Sequence, residues 1–222
     1  PYYYLPETKN LKKEGLSIGK QAYQLLYFGQ IKDSLNLAKL AVKIDHTNET
    51  LWTILAETQI ANNLYDDALI SLNNAQNINP KMGELYFAKS SIYLKQSKLK
   101  KAKIALQTGI EILPENFNAI FQLGNLYLIE KNYEKAIEEF NKAITLKQDF
   151  WQAINNKGLI HFEQDEILLA INNFTKAIEI EKNAESMLAL GISLKNTNRE
   201  KSILLVKEAL QIDPNYVSFK FR

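Results

Sequence analysis

The stretch FQLGNLYLIEKNYEKAIEEFNKAI, Phe121–Ile144, decides the fold. With Ile120 just before it, Leu123, Tyr127 and Leu128 form one apolar stripe at helical spacing, and Ala136, Ile137, Phe140, Ala143 and Ile144 form a second. The polar segment IEKNYEK lies between them, so the stretch reads as two antiparallel helices joined by a tight turn. Gly124 falls inside the first helix, where glycine costs about 1 kcal/mol relative to alanine. Close approach of the companion helix would offset that cost.

The pattern recurs along the chain at an interval of 34 residues. In phase with Gly124 stand Ala22, Ala56, Ser90 and Gly158. Ala136 is matched by Ser34, Ala68, Ala102 and Ala170, and Ala143 by Ala41, Ala75, Gly109 and Ala177. Larger residues keep the same phase: Ile18, Trp52, Tyr86, Ile120 and Ile154 in one column, Ala38, Leu72, Leu106, Phe140 and Phe174 in another. The units are therefore 15–48, 49–82, 83–116, 117–150 and 151–184. A sixth, 184–215, keeps Gly191, Ser202 and Ala209 in phase and ends at Pro214, with one-residue deletions before Met187 and in KNTNREK. Both deletions fall in turns, where length changes are tolerated. Residues 1–14 are an N-terminal tail and the start of the first helix, and 216–222 a C-terminal tail.

The columns resemble the tetratricopeptide repeat, with its Trp, Leu-Gly, Tyr, Ala, Phe, Ala and Pro at set spacing. The second unit carries Trp52, Leu55, Ala56, Ala68, Leu72, Ala75 and Pro80, and the fourth Leu123, Gly124, Tyr127, Ala136, Phe140 and Ala143. The resemblance implies an all-α, right-handed superhelical solenoid of about six helix-turn-helix repeats. First helices would line a concave face, and neighbouring repeats would bury one continuous core.

Composition narrows the function by exclusion. The chain has 27 Lys+Arg against 25 Asp+Glu, a net charge of +2, which argues against nucleic acid as the ligand. Without cysteine it has no disulfide framework and no thiolate metal site. Neither a run of 18 apolar residues nor a signal peptide occurs, so no integral membrane segment is expected. Abundant asparagine, lysine and isoleucine read as the bias of an AT-rich genome. The chain starts at Pro1 without an initiator methionine, as a processed product would, and an upstream anchor would set its location. Otherwise a cytoplasmic protein, or one peripheral at a membrane surface, is expected.

No catalytic constellation is present, so the protein is read as a non-enzyme without cofactor or metal. His161 shares a core column with Tyr93 and Tyr127, and His46 lies in an inter-unit turn, too far along the chain to make a zinc site. GLSIGK at Gly15–Lys20 is one residue short of a phosphate loop and lacks the following Ser/Thr.

Carried over by phase, the resemblance places Tyr23, Phe87, Phe121, Asn125, Leu128, Asn155 and Phe162 in a peptide-binding groove. Aromatic anchors would take apolar side chains, and the asparagines would hydrogen-bond a bound backbone. Some repeats of this kind clamp acidic C-termini with cations around two asparagines. Asn125 and Asn156 match those asparagines, but Phe121, Glu185 and Ala189 stand where cations should, and a glutamate would repel a carboxylate. No carboxylate clamp is expected. Lys95, Lys98, Lys100, Lys101 and Lys103 form a basic patch across the third unit's turn, either a solvated turn or a contact for an acidic partner or anionic surface.

The expected function is a protein–protein interaction scaffold or adaptor that binds a protein or peptide ligand. Alternatives are an assembly factor for a membrane complex, a photosynthetic one included, and an accessory domain of an enzyme complex. Ile203, Leu204, Val206 and Leu210 end the array with too little chain after them for a capping helix, and Tyr2–Leu5 is aromatic. Homo-oligomerisation through uncapped ends is therefore a further expectation.

Overall fold

A computed structural model describes residues 6–214, in which every regular element is an α-helix. The chain divides into two compact units that meet at Pro114 and Glu115. The first holds α1 (Pro6–Tyr27), α2 (Ile31–Ile44), α3 (Glu49–Ala61), α4 (Tyr65–Ile78), α5 (Gly83–Lys95) and α6 (Leu99–Ile112). The second holds α7 (Phe117–Ile129), α8 (Tyr133–Leu146), α9 (Trp151–Glu163), α10 (Ile167–Ile180), α11 (Ala184–Ser193) and α12 (Arg199–Ile212). Helices pack in consecutive pairs, α1 on α2 through α11 on α12, which makes three helical hairpins per unit. The chain is thus an all-α helical-repeat protein.

The backbone repeats as faithfully as the sequence. Gly29 (φ 74°), Asn63 (59°), Ser97 (56°), Lys131 (56°) and Asp165 (62°) are left-handed and fall one per repeat. Each closes the first helix of its hairpin. The residue after it donates to the carbonyl five back, as Asn132 N–H does to Tyr127 (2.9 Å), and the left-handed residue donates three back, as Lys131 N–H does to Leu128 (2.9 Å). This is the Schellman motif, which satisfies carbonyls that a helix end leaves open. The sixth turn, one residue shorter, has no such residue and closes with Asn198 N–H on Leu194 O (2.8 Å).

Five of the 22 asparagines stand at helix starts. Asn48, Asn116, Asn132, Asn183 and Asn198 cap α3, α7, α8, α11 and α12, each side-chain oxygen accepting from an N–H in the first turn. Caps of this kind contribute about 1 kcal/mol each.

The small columns are buried where companion helices meet. Ala22, Ala56, Ala68 and Ala75 are fully buried in the first unit, and Ala136, Ala143, Ala170 and Ala177 in the second. Ser34 and Ser202, the serines in an otherwise alanine column, donate to the carbonyls of Ala22 (2.7 Å) and Gly191 (2.7 Å) across the hairpin. Large residues fill the remaining space: Leu51, Ile54 and Leu55 around Ala38 and Ala41, Leu85 and Ile92 around Leu72, and Leu159, Leu190 and Leu194 around Phe174.

Helix α1 begins at Pro6, within the segment read as a tail and the start of the first helix, and at 22 residues it exceeds the 13 of α3, α5, α7 and α9. His161 is half-buried and pairs its Nδ1 with Glu166 Oε2 at 2.6 Å, so its turn is fastened by a polar contact. Ile203, Leu204 and Leu210 on α12 are exposed, while Tyr2–Leu5 and 216–222 lie outside the described residues. No described helix is long and apolar enough to cross a membrane.

Candidate functional site

Within the second unit, the first helices of successive hairpins enclose a cavity of about 330 Å3. Helix α7 contributes Phe121, Asn125, Leu128 and Ile129, spaced i, i+4, i+7, i+8 and hence on one face. Helix α9 contributes Trp151, Gln152, Asn155 and Asn156, and α11 contributes Glu185. The volume is near the lower end of the roughly 300–1,000 Å3 typical of ligand pockets, enough for one or two side chains.

Its apolar wall is braced from behind. The Phe121 ring packs against Phe150 (centroids 4.8 Å apart) and Phe140 (5.6 Å), and Phe150 meets Phe117 at 5.1 Å. Lys147 covers this cluster, its Nζ 5.1 Å from the Phe117 centroid and 5.6 Å from that of Phe150. A braced ring keeps its rotamer when a ligand enters, which reduces the entropy lost on binding.

Its polar wall is a hydrogen-bonded chain. Asn156 Nδ2 donates to Asn125 Oδ1 (2.7 Å), tying α9 to α7. Asn155 Nδ2 donates to Glu185 Oε1 (3.2 Å), and Ser186 Oγ donates to Asn155 Oδ1 (3.0 Å), tying α9 to α11. Asn155, only 1% exposed, is therefore largely spent on holding repeats together. Asn125 Nδ2 retains its donors, with no acceptor among the described residues. Glu185 sits in the first turn of α11, where the helix end favours an acidic side chain.

The groove residues read from the sequence separate into three groups. Phe121, Asn125, Leu128 and Asn155 line this cavity. Phe162 instead packs against the core around Leu159, Phe174 and Leu194. Tyr23 and Phe87 belong to the other unit: Tyr23 is 52% exposed, and Phe87 is half-buried with its ring over Gly109, where an added Cβ would come within 2.4 Å of it. Ile129 and Gln152, which share the groove phase in the sequence, also line the cavity, as does Trp151, which does not share it and opens α9.

The basic patch is also in the first unit. Lys95, Lys98, Lys100 and Lys101 are exposed and Lys103 is half-buried. Lys98 Nζ donates to Gln96 Oε1 (2.8 Å), and Lys101 Nζ lies 5.9 Å from the Tyr93 ring centroid. In the first unit, Glu57, in phase with Asn125, has its carboxyl pushed up by burial.

Family models for the tetratricopeptide repeat match residues 83–116, 105–138 and 152–183, and one described as TPR repeat matches 124–165. The chain is a tetratricopeptide-repeat protein, with its matched repeats between residues 83 and 183. Curated protein sequences gave no match. Among solved structures, a crystal structure of MamA is 25% identical with a TM-score of 0.67, covering 72% of this chain and 94% of that one. PilF of Pseudomonas aeruginosa is 15% identical with a TM-score of 0.78, covering 94% and 95%. YrrB, described as a TPR protein with an unusual peptide-binding site, is 18% identical with a TM-score of 0.65, covering 81% and 93%. The last two likenesses carry the fold alone.

Proposed function

We propose that the protein is a non-catalytic scaffold that binds a segment of a partner protein in the cavity formed by α7, α9 and α11. The observation that carries this reading is the braced cavity itself, lined by Phe121, Leu128, Ile129 and Trp151 together with the Asn125 amide. An apolar side chain would sit against the wall while a backbone carbonyl accepts from Asn125 Nδ2. Concave apolar sites with a few convergent polar groups are the usual form of ligand pockets. The peptide-binding site described for YrrB belongs to a protein of the same fold and agrees with this reading. The test is affinity capture from native lysate with wild type and an Ile129→Ser/Leu128→Ala variant, read by mass spectrometry. Recovery of the same partners at the same yield by both would sink the proposal.

A second reading attaches to the first unit. Helix α6 opens on Lys98, Lys100 and Lys101, with no acidic residue in its first turn. Cations at a helix N-terminus oppose its dipole and cost about 0.3–1 kcal/mol each at low salt. Residues that weaken their own helix in this way favour a role outside it, as a contact for an acidic partner. Lys100→Gln/Lys101→Gln should abolish retention on a polyanion column at low salt, and unchanged retention would remove this reading.

A further inference from the structure

The polar groups of the α7/α9/α11 cavity have spent their oxygens more than their N–H groups. Asn125 Oδ1 accepts from Asn156 (2.7 Å), Asn155 Oδ1 from Ser186 (3.0 Å) and Glu185 Oε1 from Asn155 (3.2 Å). Glu185 has a further contact of its own besides. Donors remain on Asn125 Nδ2 and on Trp151 Nε1, neither of which meets an acceptor among the described residues. The oxygens not committed in this way belong to Gln152 and Asn156, amides that carry donors as well. The rings of Phe121 and Trp151 line the same space, and Phe121 is held from behind by Phe140 and Phe150.

We infer that the residue this cavity takes from the partner segment is a proline, carried on a polyproline II stretch. The inference rests on the cavity being a binding site, as proposed above, and specifies what enters it. Any other residue brings a backbone N–H into a space where donors already outnumber acceptors, and that N–H gives up its bond to water without a replacement. Proline has no N–H, while the carbonyls on either side of it accept from Asn125 Nδ2 and Trp151 Nε1. Its ring is a compact apolar body that fits against the faces of Phe121 and Trp151. A polyproline II segment is already extended before it binds, so little conformational freedom is lost. Aromatic-lined grooves are a recurring site for such segments.

The probes are three end-capped pentapeptides, alanyl-leucyl-X-leucyl-alanine with proline, N-methylalanine or alanine at X. Each is titrated into the full chain while the Trp151 indole N–H and the Asn125 side-chain amide are followed by NMR. The prolyl probe should bind about tenfold more tightly than the alanyl one, as expected for one N–H left unpaired on burial. The N-methylalanyl probe lacks the N–H but also the ring, and should fall between them. Asn125→Asp still accepts from Asn156 and replaces the spare donor by an acceptor, so it should cut the prolyl preference severalfold. Equal affinities of the prolyl and alanyl probes for wild type, an N-methylalanyl probe no tighter than the alanyl, or a prolyl preference unchanged in Asn125→Asp would each overturn the proline selection and leave the cavity reading standing. No shift at Trp151 or Asn125 with any probe would overturn both.

Discussion

Gly124 and Phe140 occupy the same space from opposite helices. A Cβ built on Gly124 would lie 2.6 Å from Phe140 Cε1, and Phe140 is fully buried. One hairpin further on, Gly158 stands in the same relation to Phe174, also at 2.6 Å. Where the small column holds Ala56 or Ser90, the facing column holds Leu72 or Leu106. From the second repeat to the fifth, glycine is thus paired with phenylalanine and a residue bearing a Cβ with leucine, while Ala22 shares these columns with Ala38 and Gly191 lies against Val206.

Gly124→Ala should therefore destabilise despite its gain in helix propensity. Overpacking a closed core costs about 1–3 kcal/mol, and the propensity gain is about 1 kcal/mol. Phe140 has no room to yield, so a net loss of about 1–2 kcal/mol is expected. Adding Phe140→Leu should recover part of it, because the pair then resembles Ala56 and Leu72. A double-mutant cycle in urea measures the coupling; additive effects would contradict this account.

Ser90 presents a smaller defect. It is fully buried, and its Oγ has no hydrogen-bond partner among the described residues. Leaving a buried hydroxyl unpaired costs about 1–3 kcal/mol. Ser90→Ala should raise the unfolding midpoint, with a gain of about 1 kcal/mol. A lower midpoint would show that the hydroxyl finds a partner in solution.

Lys89 replaces the leucine of its column, where Leu55 and Leu123 stand, and is 7% exposed. Its ammonium bonds Gln76 Oε1 and lies 5.6 Å from the Tyr86 ring centroid. Burial holds its pKa below the ordinary 10.5. Between the lowered value and 10.5 the unfolded chain holds a proton that the folded chain has released, so this group's contribution to stability rises with pH there. Below that window the protein carries the full cost of a buried charge. Lys89→Met should therefore stabilise most at neutral pH, and its advantage should shrink as pH approaches 10.5. Denaturation at both pH values checks the sign, and a pH-independent difference would rule out the linkage.

At the cavity, stability and binding should separate. Ile129 is 60% exposed, so Ile129→Ser should change stability by less than about 0.5 kcal/mol. It removes part of the apolar wall, and a partner segment should bind several-fold more weakly. Equal losses in thermal midpoint and in captured partner would mean that the residue serves folding instead.

The repeat period, the small columns and the reason for Gly124 were all legible in the sequence, because backbone approach between paired helices restricts side-chain size at fixed intervals. The groove was legible only in part. Phase identifies which face of a helix a residue occupies, and it placed Phe121, Asn125 and Leu128 on the cavity. It does not say what stands opposite. Phe162 and Phe87 share the helical phase of the cavity residues; Phe162 is half-buried against the core cluster around Phe174, and Phe87 lies over Gly109. Five of the 22 asparagines, Asn48, Asn116, Asn132, Asn183 and Asn198, are helix caps, a role set by which residue the chain turns at.

The sequence by itself determined a string of paired helices with glycine, alanine or serine at each crossing, since those constraints are local and periodic. Only the tertiary structure decided that Asn155 would be spent binding Glu185 and Ser186, and that Trp151 would join Phe121 around one cavity. Those outcomes depend on distances between side chains some 30 residues apart, which three successive first helices set by packing side by side.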